Sequence, residues 1–123
     1  MTTDTITING SVIAFADSTE LLISNAQAAL EVIIYIKYST GADRIAVSKN
    51  ILSDEFFRLS TGLADKILEK LNENNIKIAI YGDITQYTND AMREFIYRCS
   101  ENNSIIFTQT KENAAQLLAA LPR

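Results

Sequence analysis

Apolar residues recur along this chain with two different periods, and the two periods alternate. Residues 5–8 alternate between polar and apolar with period two, and residues 11–16 continue as a second apolar run. Asn9-Gly10 lies between them and is a strong signal for a two-residue hairpin turn. The pattern therefore predicts an antiparallel hairpin at the beginning of the fold.

Beyond the hairpin, segments with a helical period alternate with short apolar runs. The helical segments are predicted over residues 26–37, 61–71, 89–99 and 110–121, and the apolar runs over 44–48, 76–81 and 105–108. Strands that alternate with helices form a mostly parallel sheet with right-handed crossovers. The predicted order is ββαβαβαβα, an α/β domain in which the N-terminal strand is antiparallel.

One segment fits two structures. Residues 32–36 are rich in β-branched side chains, so a strand is an alternative to a helix. The helix is indicated by the spacing of Ala26, Ala29, Leu30, Ile33, Ile34 and Lys37. A helix is preferred, because a parallel partner for the second strand requires a crossover.

The two periods also predict the core. The single cysteine, Cys99, follows Phe95 and Ile96 on an apolar helix face and is expected to be a buried, inert thiol. The side chains expected between sheet and helices are Leu63, Ile67, Ile78, Ile80, Phe95, Ile96, Ile106 and Leu117.

Composition narrows the class of protein. The chain has 123 residues, 47% of them hydrophobic and 21% charged, which is typical of one folded domain, here 1–123. A net charge of -4 with scattered lysines and arginines argues against nucleic-acid binding. No apolar run is long enough to cross a membrane, and no signal segment is visible, so we expect a cytoplasmic protein.

The chain has no histidine, which removes the commonest acid-base catalyst and the commonest ligand for transition metals. No cofactor and no metal are expected, and an enzyme is less expected than a binding protein. The sequence leaves the oligomeric state open, a homo-oligomer included.

A hydroxyl pair, Ser60 and Thr61, stands at the beginning of the second predicted helix, before Gly62 and Leu63. Such hydroxyls accept hydrogen bonds from the unpaired N–H groups of a first helical turn. They are also candidate phosphate acceptors, since the helix dipole favours an anion there. Both interpretations remain open.

A partner surface is predicted beside this pair. Phe56 and Phe57 are adjacent, so they either pack in the core or leave one ring exposed. In the second case the candidate residues of an apolar docking patch are Phe57, Leu59, Gly62 and Tyr87.

An alternative site lies at the predicted carboxyl ends of the strands, where ligands of open α/β sheets bind. Its candidate residues are Asp17, Lys49, Asn50, Asp54 and Asp83, with Thr85 nearby. Converging carboxylates there could hold magnesium or a ligand amine, although Asp and Asn are also common turn formers.

The element order and the segment from Leu59 to Leu63 resemble the STAS domain of bacterial anti-sigma-factor antagonists. In that family a hydroxyl residue before a glycine is phosphorylated by a partner kinase, so the resemblance implies a STAS-like fold with Thr61 as the acceptor. Leu59 stands where that family usually has aspartate.

The longer runs ADRIAVSKNILSDEFFRLSTGLADKIL and IKIAIYGDITQYTNDAMREFIYRC resemble a bacterial family known as domain of unknown function 4180. That resemblance covers most of the chain and implies a fold without an activity. We expect a small regulatory module with a protein partner; the alternative is a small-molecule or metal-binding protein, or an enzyme, that uses the strand-end site.

Overall fold

Five strands form a single sheet in which neighbours along the chain are neighbours in space. The structure, a computed structural model, describes residues 2–18 and 23–121. The strands are β1 (Thr2–Ile8), β2 (Ser11–Asp17), β3 (Arg44–Ser48), β4 (Lys77–Tyr81) and β5 (Ile105–Thr108). Their order in the sheet is β1-β2-β3-β4-β5, with β1 antiparallel to β2 and the other pairs parallel.

The helices lie between the strands as the periodicity predicts. They are α1 (Ala26–Thr40), α2 (Asp54–Phe57), α3 (Leu63–Glu73), α4 (Asp90–Asn102) and α5 (Lys111–Ala119). The ββαβαβαβα layout is therefore confirmed, with the short helix α2 added between β3 and α3. Among residues 2–18 and 23–121, no helix is long and apolar enough to cross a membrane.

Residues 32–36 are helical, which confirms the crossover between β2 and β3. The ends of α1 explain why the β-branched run does not form a strand. Asn25 caps the first turn, since its side-chain oxygen accepts a hydrogen bond from the Ala28 N–H at 2.8 Å. Gly41 ends the helix in the left-handed conformation, with φ of 76°. Within these limits Ile33 and Ile36 point into the core.

The sheet separates two cores. One face packs against α1 through α4 and includes Ile45, Ile78 and Ile80. On the other face α5 is the one helix among the described residues, and there Ala46 and Ala79 meet Ala114 and Ala115. Because these four side chains are small, the single helix can lie close to the strands. All of the strand-end and turn residues considered below are positioned by these two layers.

Most of the predicted core is buried, but the face of α5 differs from the prediction. Leu117 is 43% exposed, whereas Ala114, Ala115 and Leu118 are buried. Ile96 and Ile106 are half-buried rather than enclosed. The prediction for Leu117 was wrong because nearly every residue from 114 to 121 is apolar, so the sequence does not mark which side of this helix meets the sheet.

Cys99 is buried, as the sequence predicts, and burial is the main cause that raises the pKa of its thiol to about 11. Burial of the neutral thiol therefore stabilises the fold below its ordinary pKa of 9.0, and this contribution is lost as the pH rises towards 11. We expect native protein at pH 8 to react very slowly with a disulfide reagent and to react rapidly once urea unfolds it. Fast stoichiometric labelling of the native protein would contradict this assignment.

Candidate functional site

The connection from β3 to α3 carries the hydroxyl pair, and two buried rings hold it in place. Helix α2 directs Phe56 and Phe57 into the core, where they are 0% and 2% exposed. Their rings meet edge to face with centroids 5.1 Å apart. The chain then forms a 3₁₀ turn, Leu59–Thr61, before Gly62 begins the next helix. We call residues 59–62 the 59–62 turn.

The Thr61 hydroxyl links this turn to helix α2 and to Arg58, which precede it. Its Oγ1 lies 2.8 Å from the carbonyl oxygens of both Glu55 and Arg58, so its single proton is donated to these two acceptors. The backbone adds bonds from the Thr61 N–H to the Arg58 carbonyl, at 3.0 Å, and from the Gly62 N–H to the Leu59 carbonyl, at 3.1 Å. The threonine side chain is nevertheless exposed.

The role of Thr61 as a helix cap is minor. Gly62 occupies the N-cap position with φ of 78°, a left-handed conformation that favours glycine, and it has no side chain to cap the helix. Thr61 Oγ1 accepts only a long bond from the Leu63 N–H, at 3.3 Å. Its shorter bonds run backwards to the chain before the turn, so Thr61 mainly fastens the turn.

Ser60 differs from its neighbour. Its side chain is exposed, and its hydroxyl makes no hydrogen bond with the described residues. The pair therefore offers one engaged hydroxyl and one hydroxyl that faces solvent only. Leu59 and Gly62, the other candidates on this turn, are half-buried.

The exposed apolar patch predicted around Phe57 does not form. Phe57 is buried, because the half-buried Tyr87 ring stacks on it with centroids 4.2 Å apart and planes 7° apart. The Tyr87 hydroxyl donates to Asp54 Oδ1 at 2.6 Å, and this hydrogen bond is the main cause that raises the pKa of Tyr87. Tyr87 and Asp54 thus hold Phe57 and helix α2, which precede the turn, in position. The exposed side chains of this connection include the hydroxyl pair and the charged groups of Glu55 and Arg58.

Four of the five strand-end candidates use their side chains in hydrogen bonds, namely Asp17, Lys49, Asp54 and Asp83. Asp83 Oδ1 accepts bonds from the Thr85 N–H at 3.0 Å and from its hydroxyl at 2.8 Å, and the backbone bond is the main cause that lowers the pKa of Asp83. Lys49 Nζ donates to the carbonyl oxygen of Asp83, and the Asn50 N–H donates to Ser48 Oγ.

The carboxylate of Asp17 likewise accepts a bond from the N–H of the next residue, Ser18, at 2.8 Å. These are the bonds of turn-forming residues.

The carboxylates do not converge on a cation. Asp54 is bonded to Tyr87, while Asp83 is bonded to Thr85. Within residues 2–18 and 23–121, no group of three or more Asp, Glu or Cys side chains is placed to hold a metal ion. The described residues therefore give no support to the alternative in which Asp17, Asp54 and Asp83 hold magnesium.

One residue of this edge was missed by the sequence analysis. Tyr81 ends β4 on the face covered by α5, and burial, followed by the negative charges of Asp17 and Glu112, raises its pKa. Glu112 belongs to the first turn of α5, which crosses the sheet to reach this position. The one signal in the sequence for Tyr81 was its position at the end of a predicted strand.

Comparison with curated proteins and with solved structures finds no match. The family model for a domain of unknown function, DUF4180, matches residues 8–118. This span contains the 59–62 turn, the strand-end residues and all of the parallel strands. The chain therefore belongs to the DUF4180 family.

Proposed function

We propose that this chain is a cytoplasmic regulatory module that binds a protein partner through the 59–62 turn. The observation that carries the proposal is an exposed hydroxyl pair, Ser60 and Thr61, on a turn that buried rings and hydroxyl bonds hold in one conformation. A fixed turn loses little conformational entropy when a partner binds it. The resemblance of residues 60–63 to the phosphorylated segment of STAS domains supports the same surface.

Phosphorylation of this turn is the proposed switch, and the two hydroxyls respond differently to it. A phosphoryl group on Thr61 removes the proton donated to the carbonyls of Glu55 and Arg58, and it adds about -1.5 to -2 charge beside them. The turn then has to rearrange. A phosphoryl group on Ser60 breaks no hydrogen bond with the described residues, so it changes only the charge of the surface.

Variants of Thr61 test the proposal in two stages. Replacing Thr61 by alanine should lower the free energy of unfolding by about 0.5–2 kcal/mol, because the two carbonyls lose their hydroxyl donor while the backbone bonds of the turn remain. Urea denaturation measures this change. Thr61→Ser keeps the hydroxyl and is the matched control, which should stay close to wild type. An unfolded alanine variant would show that Thr61 is structural and would remove the switch.

The second stage measures binding. Tagged wild type, Thr61→Ser, Thr61→Glu and Ser60→Ala are used to capture proteins from a lysate of the source organism, and the captured proteins are quantified by mass spectrometry. A partner held by wild type and by Thr61→Ser should fall by roughly tenfold or more with Thr61→Glu, since a charge placed in an interface core is strongly unfavourable. Equal capture by all four proteins would contradict the proposal.

A second candidate function is the binding of a small molecule at the carboxyl ends of the strands. It is favoured by three residues that lie side by side on the α5 face of the sheet. Ser48 pairs with Tyr81 of the neighbouring strand. Asp17 lies beside Ser48, because it follows Ala16, which pairs with Val47. Asp17 is exposed and Tyr81 is half-buried, so they offer a carboxylate and a phenol hydroxyl to a ligand amine or hydroxyl, with the buried Ser48 between them. Thermal-shift screening separates the candidates, because a ligand of the native state raises the melting temperature and a regulator without ligand does not respond.

A further inference from the structure

The outer edge of β1 is regular and turns its backbone groups to solvent. The turn residues Asn9 and Gly10 have φ of 50° and 82°, which makes a two-residue hairpin and fixes Ile8 and Ser11 as a hydrogen-bonded pair. Hydrogen-bonded and non-bonded pairs alternate along an antiparallel ladder. Every second residue of β1, namely Thr3, Thr5 and Thr7, therefore directs its N–H and C=O away from β2.

This edge lacks the features that usually block strand addition. The strand TTDTITI has seven residues, one charged side chain, Asp4, and no proline or lysine. Residues 3–7 are all exposed, and Ile6 is 45% exposed. The opposite edge of the sheet is different, because β5 has only four residues and Ile105 is 1% exposed. The two edges are thus not equivalent, and with respect to residues 2–18 and 23–121 only the β1 edge is open along its whole length.

We propose that β1 binds β1 of a second copy of this chain, in antiparallel orientation, with Thr5 on the twofold axis. The two sheets then become one continuous sheet of ten strands. In this register Thr5 pairs with Thr5 of the second copy, and each Thr3 pairs with a Thr7, so all of the outward-facing groups find partners. The dimer gains about six backbone hydrogen bonds, two for each pair.

The spacing of the outward groups selects this register. Moving the axis to Ile6 leaves Thr3 facing the turn residue Asn9, so about four bonds remain. Moving it to Asp4 also loses bonds and places two carboxylates opposite each other. Registers between these positions pair outward-facing residues with inward-facing ones and form no ladder. An edge that complements itself about a twofold axis fits a second copy, since isologous contacts use the same patch twice.

The Asp4 carboxylate, the one charged side chain of β1, does not prevent this pairing. Asp4 is the cross-strand neighbour of Phe15 in β2. The Lys111 ammonium lies over the Phe15 ring, 4.7 Å from its centroid. A positive charge therefore lies on the same face of the sheet beside each Asp4. The Thr side chains of the other face are uncharged and have high strand propensity, which suits a cross-strand ladder.

Sedimentation equilibrium tests the dimer. An edge contact of this size buries less than about 1,200 Å², so we expect a dissociation constant of roughly 1–100 μM. Thr5→Pro removes an outward-facing N–H group and leaves the hydrogen bonds between β1 and β2 in place. Thr5→Lys leaves the backbone unchanged and places two ammonium groups, one from each copy, at the twofold axis. Both variants should weaken the dimer by roughly tenfold or more, whereas Thr5→Val should dimerise as wild type does.

Disulfide trapping tests the register. Cysteine at position 5 brings two Cα atoms to about 5.5 Å across the axis, inside the range that a disulfide accepts. Cysteine at position 3 has its Cα about 14 Å from the Cα of its copy, because each Thr3 lies opposite a Thr7. Under mild oxidation Thr5→Cys should cross-link to a dimer much faster than Thr3→Cys or Ile6→Cys, with the buried Cys99 unreactive in each variant.

Three results would overturn this inference. The first is a wild-type protein that stays monomeric up to about 1 mM, well above the expected dissociation constant. The second is cross-linking that is fastest at position 3 or 6. The third is growth into open polymers, which would show that the β1 edge pairs with another strand, since a heterologous contact does not close.

Discussion

Replacing Phe56 by alanine should lower the free energy of unfolding by about 3–5 kcal/mol, the largest effect we expect from a single change. The side chain is fully buried. Its ring meets Phe57 at 5.1 Å and Phe95 at 6.3 Å, both edge to face, so its removal leaves a cavity between α2 and α4. Urea denaturation with a constant m-value measures the change.

The matched control for this variant is Tyr38→Ala, which removes an aromatic ring that is 84% exposed on α1. It should change stability by less than about 0.5 kcal/mol, because exposed side chains contribute little. If Phe56→Ala costs under about 1 kcal/mol, the ring does not hold α2 in place. The rigid 59–62 turn would then lack its support.

Replacing Arg44 by methionine should lower the free energy of unfolding by about 1.5–3 kcal/mol. Arg44 is 4% exposed at the beginning of β3, and its guanidinium donates to the Leu118 carbonyl at 2.5 Å, with the Ala119 carbonyl at 3.5 Å. These carbonyls belong to the last turn of α5, whose negative dipole end favours a cation. Methionine keeps much of the apolar stem and removes the donor together with its positive charge.

A matched control for Arg44→Met is Lys37→Met at the same end of the sheet. Lys37 is half-buried, and its ammonium makes one long contact, 3.5 Å from the Asn74 carbonyl. Its replacement should cost less than about 0.5 kcal/mol. Equal losses for the two variants, or unchanged amide exchange at the end of α5 in Arg44→Met, would show that Arg44 does not anchor this helix.

The sheet and its main helices could be predicted from the sequence because both depend on local periods. The hairpin followed from Asn9-Gly10, and α1 followed from the need for a crossover after β2. Helix α2 could not be predicted, because its four residues are about one turn and show no period. The side of α5 that faces solvent could not be predicted either, since residues 114–121 are nearly all apolar and the small residues Ala46 and Ala79 decide which side packs.

The candidate site was predicted in part for a similar reason. The exposed hydroxyl pair follows from a polar Ser-Thr-Gly turn, which the sequence displays. The burial of Phe57 does not, because the direction of two adjacent rings depends on α2 and on the stacked ring of Tyr87. The strand-end carboxylates depend on loop geometry, and the hydrogen bonds of Asp54 and Asp83 point to different partners.

The most direct test of the proposed function is amide hydrogen exchange of this chain with and without its captured partner. If the partner binds the 59–62 turn, the amides of residues 58–66, which include the turn and the first part of α3, should exchange more slowly in the complex than in the free protein. Protection should be absent from the strand-end loop at 83–88. Protection confined to residues 83–88 or to β1, with residues 58–66 exchanging as in the free protein, would contradict the central claim.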